Sequence, residues 1–165
     1  MSQTSELDVI TGEMFDLKAA LEALPSSSRL SKVDADVIYA LAYNLVIQGR
    51  YEAAYRYFSL LTLYQPTNID YLTGLAHSYR MRELFAEALN IYSFLAVIDP
   101  EQPEHTLAIA ECLLLQKEVQ EARDTVAMVL RYCDQNISQT EATSKVHDRA
   151  KAISQLIAAE IESAA

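Results

Sequence analysis

Glycine and proline are scarce in this chain, at three and four among 165 residues, while alanine, leucine and glutamate abound. Such a composition fits long helices and little else, because glycine and proline are the residues that break them. The fold class is therefore all-α. Positive charge is also in short supply, with 13 Lys and Arg against 23 Asp and Glu and a net charge of -10. No basic cluster rises above that background, so nucleic acid and anionic membrane are poor partners.

Long apolar runs are missing too. None approaches the roughly eighteen residues of a membrane-spanning helix, and the opening MSQTSELDVI lacks a basic stretch followed by an apolar one. The expectation is a soluble cytoplasmic protein that does not insert into a membrane. With 51% of its residues apolar, a chain of this length can bury one sizeable core, and a single folded domain is expected. Cys112 and Cys133 have neither CxxC spacing nor companion histidines, and read as small buried hydrophobes.

Motifs that carry chemistry are absent from the sequence. It contains no GxSxG, GxxxxGK, HExxH or GxGxxG, and His77, His105 and His147 are widely separated. No catalytic residue, cofactor or metal ligand is expected, and a binding role is favoured over an enzymatic one. Asn136-Ile137-Ser138 matches a glycosylation sequon, but without an export signal it is discounted.

What is present is a repeat. Ala42, Ala76 and Ala110 are 34 residues apart, and so are Ala54, Ala88 and Ala122. The same step relates Pro66 to Pro100, Leu41 to Leu75 and Ile109, Tyr51 to Phe85 and Val119, and Phe58 to Tyr92 and Val126. Small residues let two helices approach closely while the large ones fill the space beside them. Each proline stops a second helix and sets the turn into the next unit. Gly49 sits at the inner turn of the first unit; its counterparts, Glu83 and Lys117, tolerate positive φ less well, so the later inner turns are expected to differ in detail.

The unit resembles the tetratricopeptide repeat. That resemblance implies a superhelix of three helical hairpins, over residues 35–68, 69–102 and 103–136. Before them, Leu7, Ile10, Met14, Leu17, Leu21 and Leu24 mark an amphipathic helix within an N-terminal segment, residues 1–34. A break at Pro25 follows, then a capping box of Ser31 and Asp34. After the repeats, in residues 137–165, Ala142, Val146, Ala150, Ile153, Ile157 and Ile161 line one face of a capping helix over Gln139 to Ser163.

In a tetratricopeptide array the first helix of each unit lines a concave groove. Carried onto this sequence, the inward places are Asp36, Tyr39, Tyr43, Val46 and Ile47, then Asp70, Thr73, His77, Arg80 and Met81, then Glu104, Leu107, Glu111, Leu114 and Leu115. Tyrosines on such a face supply large rigid contact area and a hydroxyl at small entropic cost, which suits capture of an extended peptide.

A closer resemblance rests on IYALAYNLVIQGRYEAAYRYF, LTGLAHSYR, YSFLAVIDPEQP and AECLLLQKEVQEA. These stretches are similar to the class II chaperones of type III secretion systems. The resemblance implies that the chain binds hydrophobic translocator proteins through an extended segment near their N-termini and keeps them soluble until secretion. It implies homodimerisation through the first helix, here Ile10, Met14, Leu17 and Leu21, and some members also bind a transcription activator. Tyr39 and Tyr43 match aromatic groove positions of the family and Leu107 an apolar one, whereas Val46, His77 and Arg80 depart from it. The alternatives are a general tetratricopeptide adaptor and a regulatory partner of a transcription factor. A carboxylate-clamp adaptor is disfavoured, because Tyr39 and Tyr43 stand where it needs lysine and asparagine.

Overall fold

The computed structural model describes residues 30–136 and 141–164, with side chains to residue 159. The amphipathic segment with Ile10, Met14, Leu17 and Leu21, the break at Pro25 and the side chain of Ile161 lie outside the described residues. Among the described residues are seven helices and no strand: α1 Lys32–Ile47, α2 Tyr51–Tyr64, α3 Ile69–Met81, α4 Phe85–Ile98, α5 Pro103–Leu115, α6 Val119–Asn136 and α7 Glu141–Ala164. None of them is long and apolar enough to cross a membrane.

The chain packs as two compact units, Met1–Leu75 and Ala76–Ala165, instead of around one shared centre. In a repeat array each structural unit packs mainly on the units beside it, so the core can divide along the chain.

The first unit begins where the sequence signals it. Asp34 N donates to Ser31 Oγ over 3.1 Å and Ser31 N donates to Asp34 Oδ2 over 3.3 Å, closing the capping box. Ala35 and Ala42 of α1 and Ala54, Phe58 and Leu61 of α2 are buried between the two helices. Full burial of Phe58 and Leu61 stabilises the unit by about 2 kcal/mol apiece. Asn68 Oδ1 accepts from Tyr71 N over 3.1 Å and so caps α3.

Gly74 explains itself through Phe58. A Cβ built on Gly74 would sit 2.2 Å from Phe58 Cε1, so only glycine lets the phenyl ring lie against the α3 backbone.

The inner turns correct one expectation. Gly49, Glu83 and Lys117 all hold a left-handed φ, at 71°, 62° and 66°. The hydrogen bonds repeat with them: Arg50 N donates to Leu45 O over 2.8 Å, Leu84 N to Tyr79 O over 3.0 Å and Glu118 N to Leu113 O over 2.9 Å. This is the helix-ending motif with a left-handed residue after the cap. The second and third turns therefore keep the geometry of the first despite lacking glycine, and helix packing on either side enforces it at a cost of about 1 kcal/mol each. The second helices also end alike, with Gln65 N donating to Leu61 O and Asp99 N to Leu95 O, both over 2.8 Å, just before Pro66 and Pro100.

In the second unit Leu107, Ala110, Ala122, Val126, Val129, Cys133, Val146, Ala150 and Ile157 form one core from α5, α6 and α7. Cys112 and Cys133 are free and buried, as their placement on helices suggests. α7 buries Val146, Ala150 and Ile157 as the sequence spacing predicts, with Ile153 packed against the same core; Ala142 departs from that face and is exposed, while Thr143 and His147 are buried beside Val146. His147 can take a core position because its Nε2 lies 2.9 Å from Asp134 Oδ1. Likewise His105, at the start of α5, is buried with Nε2 3.4 Å from Asp99 Oδ2.

Candidate functional site

Two faces, one in each unit, carry the side chains singled out in the sequence. In the first unit, steps of three and four along α1 bring Asp36, Tyr39, Tyr43, Val46 and Ile47 to one side of the helix. Tyr39 is half-buried within an aromatic cluster: its ring centroid is 6.3 Å from Tyr43, 6.1 Å from Phe58 in an edge-on arrangement, and 5.6 Å from Tyr71. Such ring pairs contribute about 1 kcal/mol apiece beyond area burial and hold the rings in fixed orientations.

At the open edge of that cluster, Tyr43 is 54% and Ile47 68% exposed, while Val46 and Thr73 are half-buried. Burial, then the nearby Asp70 carboxylate, raises the pKa of Tyr39. Burial, then Asp36, does the same for Tyr71. Both phenols therefore stay neutral donors at physiological pH. Tyr71, absent from the inward places of the repeat, is a member that its position one residue before Leu72 does not disclose; its ring reaches Tyr39 because Asn68 fixes the start of α3.

A second apolar stripe lies along α1 at a different angle. Val33, Val37 and Leu41, at steps of four, are 71%, 65% and 44% exposed.

The second unit's face is charged. Arg80 of α3 and Arg149 of α7 both pair with Glu111 of α5, Arg80 Nη1 donating to Oε2 and Arg149 Nη2 to Oε1. The Arg80 and Glu111 side chains are largely covered, at 20% and 18% exposure, while Arg149 is 55% exposed. Arg80 Nε is buried and finds no hydrogen-bond partner among the described residues. His77 is half-buried one turn before Arg80, and burial followed by the Arg80 charge lowers its pKa, so its ring is neutral at pH 7. Beneath the network, burial pushes the Tyr92 phenol up to about 12 and the Cys112 thiol up to about 11. Neither ionises at neutral pH, and no group of three or more metal-binding side chains occurs among the described residues.

Leu107 requires a correction. Its side chain is fully buried in the core formed by α5, α6 and α7, so it cannot line an open groove. The repeat register turns that place inward in a generic unit, but here the following helices close over it. Leu114 is half-buried against the same core, while Leu115, one turn after Glu111, and Met81, next to Arg80, are apolar and exposed, at 55% and 44%. Arg149, which completes the network, lies in the last helix outside the three repeats, where no repeat register assigns it a role. A shallow cavity of about 390 Å³ elsewhere in this unit is lined by Pro103, Thr106, Met128 and Tyr132 among others and contains none of these residues.

Residues 35–68 match the tetratricopeptide repeat family profile. The chain is 25% identical over 127 residues to the low calcium response locus protein H of Yersinia pestis, covering 75% of this chain and 76% of that one. In three dimensions it is similar to the Yersinia enterocolitica type III secretion translocator chaperone SycD, with a TM-score of 0.71 and 24% identity over 81% of this chain and 90% of that one. The fold is that of a translocator chaperone. A further likeness is to PcrH of Pseudomonas aeruginosa, solved in complex with the chaperone binding region of PopD, with a TM-score of 0.71 and 23% identity over 80% of this chain and 96% of that one.

Proposed function

We propose that this chain is a type III secretion chaperone that holds an extended, apolar-anchored segment of a hydrophobic translocator and keeps the client soluble until export. The observation that carries this reading is the first unit's aromatic face, where Tyr43 and Ile47 are exposed beside a rigid cluster of Tyr39, Tyr71 and Phe58. Exposed aromatic and aliphatic groups on an ordered surface are what an extended peptide with spaced apolar anchors would cover. Similarity to low calcium response locus protein H, and a fold shared with SycD, which has also been solved with a peptide of the translocator YopD, support the same reading.

Binding two or three Leu-sized anchors contributes roughly 4 to 8 kcal/mol, and ordering the client segment takes back several of those. The net is an affinity near micromolar, which protects an aggregation-prone client yet allows its release. The role is binding without catalysis, in the cytoplasm, where a net charge of -10 keeps the loaded complex dispersed. The client-binding residues in this reading are Tyr39, Tyr43, Val46, Ile47 and Thr73 on the first unit's own face, and His77, Arg80, Glu111 and Leu114 on the second unit's own face. Homodimerisation through Ile10, Met14, Leu17 and Leu21 belongs to the same proposal. The exposed Val33, Val37 and Leu41 stripe supports it as an apolar surface that needs cover.

The test is co-expression with a candidate translocator, purification through the client, and assay of the soluble fraction. The expected result is a soluble client that co-elutes with this chain, and loss of both effects when Tyr43→Glu and Ile47→Glu are combined. An insoluble client beside a folded chaperone would overturn the proposal.

A further inference from the structure

The geometry points to the Arg80–Glu111–Arg149 network as a recognition site for an acidic side chain, so that the client segment carries a Glu or Asp among its apolar anchors. This rests on the peptide-binding reading above and names part of the client's chemistry.

The inference follows from counting donors and acceptors. Glu111 supplies two carboxylate oxygens, and each is already taken, one by Arg80 and one by Arg149. A guanidinium offers five N–H donors in a rigid fork, so two arginines on one carboxylate leave most donors without an acidic acceptor. Arg80 has been drawn out of water, with its Nε buried and unmatched among the described residues. Arg149 keeps 55% of its side chain exposed, so the unused part of its fork is reachable from solvent. The cluster therefore carries one surplus positive charge, fixed in place by helices α3, α5 and α7.

The surroundings sharpen the choice of ligand. His77, one turn before Arg80 on α3, is held neutral and does not add to the charge. Tyr92 and Cys112 below it are neutral as well, and the charged groups that act on them are Arg80, Glu111 and Arg149, the members of the network itself. Leu115 and Met81 nearby are exposed and apolar. A carboxylate flanked by apolar side chains would satisfy both kinds of surface, the acid taking a charge-assisted, two-pronged bond from Arg149. A run of acids would not, because a chain with a net charge of -10 repels it at longer range.

The decisive experiment is selection of random dodecapeptides displayed on phage against the full chain and three variants: Arg149→Gln, Arg149→Lys and Tyr43→Glu. Peptides displayed this way have no free terminal carboxylate, so any acid selected is a side chain. The expected result is enrichment of apolar residues together with one Glu or Asp. Arg149→Gln should abolish the acid preference while the apolar pattern remains, and Arg149→Lys should restore part of it. An enriched peptide remade with Gln in place of its acid should then bind about tenfold more weakly to the natural chain and equally to Arg149→Gln, a gap that narrows as salt rises.

Apolar enrichment without an acid preference, or a preference that survives Arg149→Gln, overturns this inference and leaves the chaperone reading standing. Absence of any apolar enrichment, or enrichment that Tyr43→Glu does not change, overturns the peptide-binding reading and this inference with it.

Discussion

The two units of the molecule present faces of different chemistry. The first presents tyrosines and an isoleucine, locked ring against ring, with Asp36 and Asp70 as its nearby charges. The second presents two arginines converging on one glutamate, with Leu107 turned into the core and Leu115 and Met81 left exposed. An aromatic surface gains most of its affinity from area and accepts many sequences, whereas a fixed guanidinium discriminates by the presence of a matching anion. The comparison teaches that a repeat conserves where helices pack while leaving each face free to differ.

The largest expected effect separates core from face. Leu107→Glu places an unpaired charge in a fully buried site and should destabilise the second unit by about 4 kcal/mol, seen as loss of helical signal at a much lower melting temperature. Tyr43→Glu, at a position 54% exposed, should leave the melting temperature almost unchanged. If Leu107→Glu melts like the natural chain, the division into an open aromatic face and a closed leucine core fails.

Next comes Gly74→Ala in the first unit. The added methyl overlaps the Phe58 ring, which is itself 1% exposed and has nowhere to retreat, so a loss of about 2 kcal/mol is expected by denaturant titration. The ring contact between Phe58 and Tyr39 should loosen with it, readable as weaker near-ultraviolet dichroism from the tyrosines. An unchanged midpoint would mean that the first unit's cluster is softer than its packing implies.

The smallest effects lie in the inner turns and compare the units most directly. Gly49→Ala meets no atom within 4 Å, so its cost is backbone strain alone, about 1 kcal/mol. Glu83→Gly and Lys117→Gly run the other way, relieving a left-handed φ and stabilising by about 0.5 kcal/mol after the entropy that glycine adds to the unfolded chain. Melting temperatures of the three variants check the signs, and a destabilised Glu83→Gly would show that its side chain contributes more than its conformation costs.

Much of this architecture was legible because it is local or periodic. The 34-residue spacing located the helix pairs, Ser31 and Asp34 the first cap, and Pro66 and Pro100 the turns, since each depends on neighbours close in sequence. Leu107 was misread because the same register place can face a groove or a core, and which one depends on helices α6 and α7 arriving later in the chain. Arg149 was missed for a related reason: its partner Glu111 is 38 residues away, and no repeat relates them. Gly74 left a trace, since glycine weakens a helix interior, but only Phe58 in place shows what the weakness makes room for.

Both cysteines belong to the second unit, and the residues before Ala76 contain none. Each thiol is fully covered, so an alkylating reagent reaches it only when helices part. The protein thus contains its own clock for transient opening: the rate at which the natural chain takes up a thiol label, with and without a bound peptide, times the breathing of one half while the other stays silent.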